Sequence, residues 1–191
     1  MLSFLYTTAM PQHPTDQQLI GQLRDPSSRR AAFEAVVGKY GSRLYWQIRH
    51  VVTSHDDADD VLQNTFVKAW LALDTFRGDS ALSTWLYRIA ANESLTYLQQ
   101  RRDNISIDSA EADLDNTLEG DPYFDGDETE RLLHEALATL PPKQRQVFTL
   151  RYYDQMKYED MAEVLSTSVG ALKASYHIAT KKIEDFFNSR N

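Results

Sequence analysis

The chain has 191 residues, enough for one large or two small domains, and its 42% hydrophobic content excludes a wholly disordered protein. It has no cysteine, which excludes disulfides and thiolate metal sites, and no apolar run approaches the ~20 residues of a membrane span. A net charge of −8 argues against a nucleic-acid partner, but residues 104–135 hold eleven acidic residues and one basic residue, so the rest of the chain is net positive.

The first 15 residues are predicted to form a disordered tail. The opening MLSFLYTTAM lacks the basic segment of a signal peptide, and PQHPTD follows at once, so we predict no secretion signal. Met1 and Met10 are alternative natural starts. The sequence therefore favours a cytoplasmic protein that does not insert into a membrane.

Residues 16–103 are predicted to form a first helical domain. Helical spacing of apolar residues runs through this segment, and no alternation is long enough for a sheet, so the fold class is all-α. Glu93 falls inside an apolar stripe of the last helix. An unpaired buried carboxylate is costly, so we expect Glu93 to have a partner or a wet groove.

An acidic cluster and a loop are the first candidate sites. Asp56, Asp57, Asp59 and Asp60 could bind a metal, but a helix N-terminus, where carboxylates favour the helix dipole, is the preferred interpretation. We predict no metal and no cofactor. The segment DTFRGDSALSTWLYRIA could clasp a base pulled from the stack, or it could be a turn with an N-cap.

The helical pattern stops after the first domain and resumes near residue 130. Residues 104–129 are charged, contain two glycines and a proline, and are predicted to be a flexible acidic linker. Residues 130–187 are predicted to form a second helical domain, and residues 188–191 a tail. The outline is two small helical domains joined by an acidic tether.

The second domain carries a helix-turn-helix pattern. A short helix over Tyr158–Leu165 is followed by STS, in which Thr167 or Ser168 can cap the next helix. The next helix has a small-residue, lysine-bearing face opposite its apolar stripe, made of Gly170, Lys173, Ala174, His177 and Lys181. Such a face suits entry into a DNA groove, and an ordinary helical hairpin with a solvated face is the alternative.

Three segments, in this order, resemble the extracytoplasmic-function (ECF) group of sigma-70-type RNA polymerase sigma factors. DDADDVLQNTFVKAW resembles the polymerase-binding helix of that family, and FRGDSALSTWLYRIAANESLTYLQQRR resembles its loop and helix for melting the minus-ten element. LPPKQRQVFTLRYYDQMKYEDMAEVLSTSVGALKASYHIATKKI resembles its minus-thirty-five reader. The implied protein performs no catalysis of its own and gives promoter specificity to core RNA polymerase.

The resemblance implies the following site residues. The residues that would face core RNA polymerase are Asp57, Asp60, Gln63, Asn64, Val67 and Lys68. The residues that would bind minus-ten DNA are Phe76, Arg77, Gly78, Asp79, Ser80, Leu82, Arg88, Asn92 and Arg102. The residues that would bind minus-thirty-five DNA are Arg145, Arg151, Tyr158, Ser168, Val169, Gly170, Lys173, Ser175, His177 and Lys181.

The implied partners are core RNA polymerase and promoter DNA, and an anti-sigma factor is a further partner that the family allows. The sequence departs from the family at Asn64, where Glu is frequent, and at Ser175, Ile178 and Thr180, where arginine is frequent. Because arginine to guanine is the commonest specific contact, this helix is expected to depend more on DNA shape. The acidic linker is expected to dock in a basic polymerase channel and to repel DNA, or to serve as a solvated spacer.

Two other classes of protein explain less of the sequence. A helix-turn-helix regulator that acts without being a polymerase subunit explains the second domain but leaves the loop of the first without a role. A helical hydrolase or metal enzyme has little support, because the five histidines are scattered and no nucleophile stands beside a base.

Overall fold

The computed structural model describes residues 14–105 and 128–190. These segments contain eight α-helices, one short 3₁₀ turn and no strand, which confirms the all-α fold class. Most of the predicted amino-terminal tail and nearly all of the predicted linker lie outside the described residues. No helix in the described part of the chain is long and apolar enough to cross a membrane.

Four helices make up the amino-terminal half. They are α1 (Asp16–Arg24), α2 (Arg29–Val52), α3 (His55–Leu71) and α4 (Leu82–Ile105), with a 3₁₀ turn at Leu73–Thr75. Thr15 begins α1 with a capping box that it forms with Gln18. Ser54 caps α3, and Asp56 and Asp57 occupy its first turn, so the acidic cluster marks a helix N-terminus as expected.

Four more helices make up the carboxyl-terminal half. They are α5 (Glu128–Thr139), α6 (Pro142–Tyr152), α7 (Tyr158–Leu165) and α8 (Val169–Asn188). Pro142 opens α6 at a position where its missing N–H costs nothing. The observed bounds of α7 match those predicted from the sequence. Ser168, rather than Thr167, caps α8 by accepting a hydrogen bond from the backbone N–H of Ala171 at 3.3 Å.

The two halves share one hydrophobic core. Leu44 and Ile48 of α2 and Leu86 of α4 are fully buried, and the same apolar cluster continues through Leu150 of α6 and Met161 of α7. A second cluster joins α5, α6 and α8 around Leu137 and Phe148. Because α6 belongs to both clusters, it is buried on nearly every side: the run from Arg145 to Leu150 is buried without interruption.

Candidate nucleic-acid and polymerase interface

The outer face of α3 carries most of the predicted polymerase-binding residues. Asp60, Gln63, Asn64, Val67 and Lys68 are all exposed. The aliphatic side chain of Val67 is 51% exposed, and the next residues along this side of α3, Trp70 and Leu71, are 40% and 74% exposed. A face that mixes charged, polar and solvated apolar groups is suited to protein binding.

Asp57 differs from the other residues of this set because its carboxylate is already engaged. It accepts hydrogen bonds at 2.5 Å from the Tyr97 hydroxyl and from the Arg101 guanidinium, both on α4. Burial, followed by the hydrogen bond to Asp57, raises the pKa of Tyr97 to about 12. In this structure Asp57 fastens α3 to α4 and points away from the exposed face.

Glu93 of α4 has the partner that its position requires. Lys68 Nζ donates to Glu93 Oε1 at 2.6 Å, and the glutamate side chain is only 13% exposed. The lysine side chain is 56% exposed, so the pair lies at the edge of the exposed face of α3. Lys68 therefore both satisfies a nearly buried carboxylate and presents charge to solvent.

The loop between α3 and α4 has a defined conformation. The Phe76 ring packs on Trp85 of α4 with centroids 4.8 Å apart. Gly78 adopts φ +80°, a left-handed conformation that favours glycine. Arg77 and Asp79 are exposed and Ser80 is half-buried. These residues form a solvent-facing loop that the contact between Phe76 and Trp85 braces.

Leu82 does not belong to that solvent-facing set. Its side chain is fully buried in the shared core at the first position of α4. The resemblance placed Leu82 in the base pocket as the last residue of the range from Phe76, but its side chain faces the core in this structure. Its role in this structure is to anchor the start of α4.

The polar residues of α4 are placed unequally. Asn92 and Arg102 are exposed. Arg88 is half-buried, and its Nε donates to the backbone carbonyl of Glu163 on α7 at 3.0 Å. The carboxyl-terminal half therefore occupies one of the residues that the sequence assigned to minus-ten DNA.

The exposed face of α8 matches the predicted reader helix. Gly170, Lys173, His177 and Lys181 are exposed, while Leu172, Ala179 and Ile183 are buried on the opposite side. Val169 and Ser175 are half-buried, and Ser168 is exposed at the N-cap. Free backbone amides at a capped helix start, next to lysines, favour contact with phosphate.

Two cations gather around one tyrosine beside the start of α8. The Arg151 guanidinium lies 5.1 Å from the centroid of the Tyr158 ring, and Lys173 Nζ lies 5.6 Å from it. Arg151 also donates to the backbone carbonyl of Met156 at 3.0 Å, which fixes its side chain. The structure thus brings together three of the predicted minus-thirty-five residues from α6, α7 and α8.

Arg145 is not on this surface. Its residue is 7% exposed, and its guanidinium donates to the backbone carbonyls of Val51 at 2.6 Å, Ala138 at 2.7 Å and Leu140 at 3.2 Å. Burial lowers the pKa of Arg145 to about 10. Because every bond that we see is internal, Arg145 acts here as a structural tie and not as a phosphate contact.

A polar interface between the halves was missed by the sequence. Gln146 is 1% exposed and its Nε2 donates to the backbone carbonyl of Ala91 on α4 at 2.5 Å. The His50 ring of α2 stacks on Tyr153 with centroids 3.9 Å apart. Burial, and then proximity to His134, lowers the pKa of His50 to about 3. The polar residues Arg145, Gln146 and Thr149 share one side of α6, which the sequence pattern alone would assign to solvent.

Comparison with known proteins identifies the two halves. Residues 36–103 match the family described as Sigma-70 region 2, and residues 130–183 match the family described as Sigma-70, region 4. No group of metal-binding side chains occurs among the residues that the structure describes.

Curated relatives and solved structures agree. The RNA polymerase sigma-H factor of Pseudomonas aeruginosa is 34% identical over 88% of this chain and 92% of its own. The ECF RNA polymerase sigma-E factor of Haemophilus influenzae is 32% identical over 92% of this chain and 97% of its own. The structure of CnrH in complex with the cytosolic domain of CnrY matches with a TM-score of 0.67 and 26% identity, covering 92% of this chain and 99% of that chain. The chain belongs to the ECF group of the sigma-70 family of RNA polymerase sigma factors.

Proposed function

We propose that the amino-terminal half (residues 16–103) binds core RNA polymerase through the outer face of α3 and melts the minus-ten element through the loop and α4. The exposed residues Asp60, Gln63, Asn64, Val67 and Lys68 support the first role. The glycine-dependent loop conformation and the exposed Asn92 and Arg102 support the second. Catalysis belongs to the core enzyme, and this chain supplies promoter specificity in the cytoplasm.

The carboxyl-terminal half (residues 130–187) reads the minus-thirty-five element through α8. The observation that carries this assignment is the arrangement of Arg151, Tyr158 and Lys173 beside the capped start of α8. The cations are set to contact phosphates on either side of the groove that α8 enters. Gly170 has open space around its Cα, so DNA backbone or bases can approach the helix start closely.

The packed arrangement of the two halves is a resting state that opens on the promoter. Sites one and a half to two duplex turns apart lie about 50–70 Å from each other. Here Arg88 of the minus-ten set is within hydrogen-bond distance of α7, which belongs to the minus-thirty-five reader. The two halves therefore separate before both elements are bound.

An anti-sigma factor is a further proposed partner. A sigma factor RpoE of Bartonella quintana, which shares the fold at a TM-score of 0.70 and 24% identity over 82% of this chain and 96% of its own, was solved with the anti-sigma factor NepR. The solvated apolar side chains of α3 offer such a protein a surface that overlaps the proposed polymerase-binding face.

Run-off transcription tests the proposal. Purified chain is added to core RNA polymerase with a genomic template library, and starts are mapped. Starts that appear only with both components support the function. Tight promoter binding by the chain alone, with no transcription on adding core, overturns it and favours a regulator that acts without being a polymerase subunit.

A further inference from the structure

The outward face of α8 carries a strip of apolar side chains. Ala171, Ala174 and Ile178 are all exposed and follow one another at steps of three and four residues, so they lie along one side of the helix. Ile178 is the largest of the three, and the residue is 45% exposed. A single exposed isoleucine is ordinary on a protein surface. What distinguishes Ile178 is its position on the helix that is proposed to enter the DNA groove.

Positively charged side chains run beside the apolar strip. Lys173 and Lys181 are exposed on this face, and the exposed His177 lies between them at a step of four residues from each. A turn of about 100° per residue places Ala174 between this row and Ile178. The opposite side of α8 is buried in the core. The strip and the lysines therefore share the surface that α8 turns to solvent.

The outward residues of the first three turns limit which bases α8 can recognise. These residues are Gly170, Ala171, Lys173, Ala174, His177 and Ile178. The set contains no arginine, asparagine, glutamine, aspartate or glutamate, which are the residue types that most often form hydrogen bonds to guanine, adenine or cytosine. Lys173 lies beside the Tyr158 ring together with Arg151, in the arrangement proposed above to contact phosphates. Small and aliphatic side chains remain, and these pack on the C5-methyl group that thymine presents in the major groove.

We propose that Ala174 and Ile178 contact thymine methyl groups in the major groove, so that apolar contact selects A·T pairs in the minus-thirty-five element. Ile178 buries its exposed side chain against a methyl group, and the small side chain of Ala174 lets the helix approach the base edges closely. The inference rests on the proposed reading of this element by α8. DNA is the occupant because the apolar strip is continuous with the lysine-bearing surface of that helix, and positive charge next to the strip favours a polyanion.

Selection from random duplexes identifies the bases that α8 recognises. Holoenzyme assembled from the full chain and core RNA polymerase is bound to promoter duplexes in which the minus-thirty-five segment is randomised, and the bound duplexes are sequenced. We expect thymine, on either strand, to be enriched at one or more positions. Enrichment of no base at any position would overturn the proposed reading of this element by α8, and this inference with it.

Replacing thymine by uracil tests the methyl contact directly, because the two bases differ only in that group. Each enriched thymine is replaced in turn, and the affinity of the holoenzyme is measured by competition. Burial of one methyl group corresponds to about fourfold in affinity. The wild-type holoenzyme should therefore bind the uracil duplex about fourfold more weakly at one position or more. Equal affinities at every enriched position would overturn the inference and leave the reading of the element in place.

Substitutions of Ile178 connect the uracil effect to this side chain. Ile178→Ala should abolish the effect at one position, whereas Ile178→Val keeps a branched aliphatic side chain and should retain most of it. Val37→Ala is the matched control, because Val37 is an aliphatic residue of α2 that is 36% exposed and lies in the other half. The control should retain the full effect. A melting temperature equal to that of the wild type shows that each variant is folded.

A parallel measurement distinguishes DNA from a protein partner at Ile178. Binding of each variant to core RNA polymerase is measured by native gel. Normal assembly of Ile178→Ala with core, together with loss of the uracil effect, supports the contact with DNA. Poor assembly of Ile178→Ala with core, together with an undiminished uracil effect, would overturn the inference and assign Ile178 to a protein contact.

Discussion

Replacing Gln146 by Glu should open the packed arrangement of the two halves. The amide of Gln146 is 1% exposed and donates to the carbonyl of Ala91 at 2.5 Å. A carboxylate at this position can donate nothing and faces a carbonyl oxygen in a site closed to water. The side chain can escape this cost in two ways: the halves can separate, or the carboxyl can take up a proton and donate as the amide does.

The cost of protonating the introduced carboxyl sets an upper limit on how far the substitution destabilises the packed arrangement. Protonating a carboxyl with an ordinary pKa of about 4.3 costs about 4 kcal/mol at pH 7.5 and about 1 kcal/mol at pH 5. The substitution therefore destabilises the packed arrangement by up to about 4 kcal/mol at pH 7.5, enough to change its ratio to the open form by about a thousandfold. Most of that loss disappears at pH 5.

Energy transfer between two dyes measures this opening. The chain has no native cysteine, so Glu34→Cys on α2 and Glu184→Cys on α8, both at exposed positions, provide the only labelling sites. Gln144→Glu is the control, because Gln144 also lies on α6 but meets Lys182 at 3.0 Å in an exposed pair. Transfer should fall for Gln146→Glu at pH 7.5, recover at pH 5, and stay high in the control. A folded Gln146→Glu variant with unchanged transfer at both pH values would refute the reasoning.

Three other predictions follow from the same contacts. Lys173→Ala should lower the salt dependence of holoenzyme binding to promoter duplex, because one phosphate contact is lost. The slope of the logarithm of the binding constant against log[salt] should fall by about 0.9, and an unchanged slope would show that Lys173 is not in the interface. Ser168→Ala should lower the free energy of unfolding by about 1 kcal/mol in urea titrations because α8 loses its cap, and Ser166→Ala, which removes no N-cap, should not. Asp154 accepts a hydrogen bond at 3.0 Å from the hydroxyl of Tyr87 on α4, so it contacts the other half. Burial raises the pKa of Asp154 to about 6, so its contribution to the packed state is full below about pH 3.8 and is lost as pH rises through 6. Asp154→Asn should therefore strengthen packing at pH 7.5 in the same dye assay, and weaker packing would contradict the sign.

The helices and the reader face were predictable because they depend on short-range patterns. The bounds of α7 follow from an apolar spacing between turn residues, and the exposed side of α8 follows from a 100° rotation per residue. The sequence could predict that Glu93 needs a partner or a wet groove, because an unpaired carboxylate in an apolar stripe is costly. That the partner is Lys68 depends on how α3 packs on α4, which no local pattern contains.

The placements of Arg145 and Leu82 were not predictable for a different reason. Arginine is usually exposed, so an arginine inside a DNA-binding motif is readily interpreted as a phosphate contact. Its burial here depends on carbonyls supplied by the end of α2 and the end of α5, more than ninety and about six residues away in the chain. Leu82 was assigned to the base pocket by its position in the family resemblance, and only the packing of α4 shows that its side chain lies in the core.

In the packed arrangement the two proposed DNA-binding surfaces differ in how accessible they are. The α8 face is solvated, whereas Arg88 of the minus-ten set is bonded to α7. A partner that requires separated halves binds with an apparent affinity reduced by the fraction of chains that are open. Core RNA polymerase must supply that opening free energy if the proposed site on α3 binds it productively only when the halves are separated. The same Gln146→Glu substitution that lowers dye transfer should then strengthen core binding at pH 7.5 but not at pH 5. If core RNA polymerase instead binds the packed and the open forms equally, the contact between Arg88 and α7 limits only the binding of promoter DNA. The Gln146→Glu substitution should then change DNA melting without changing holoenzyme assembly.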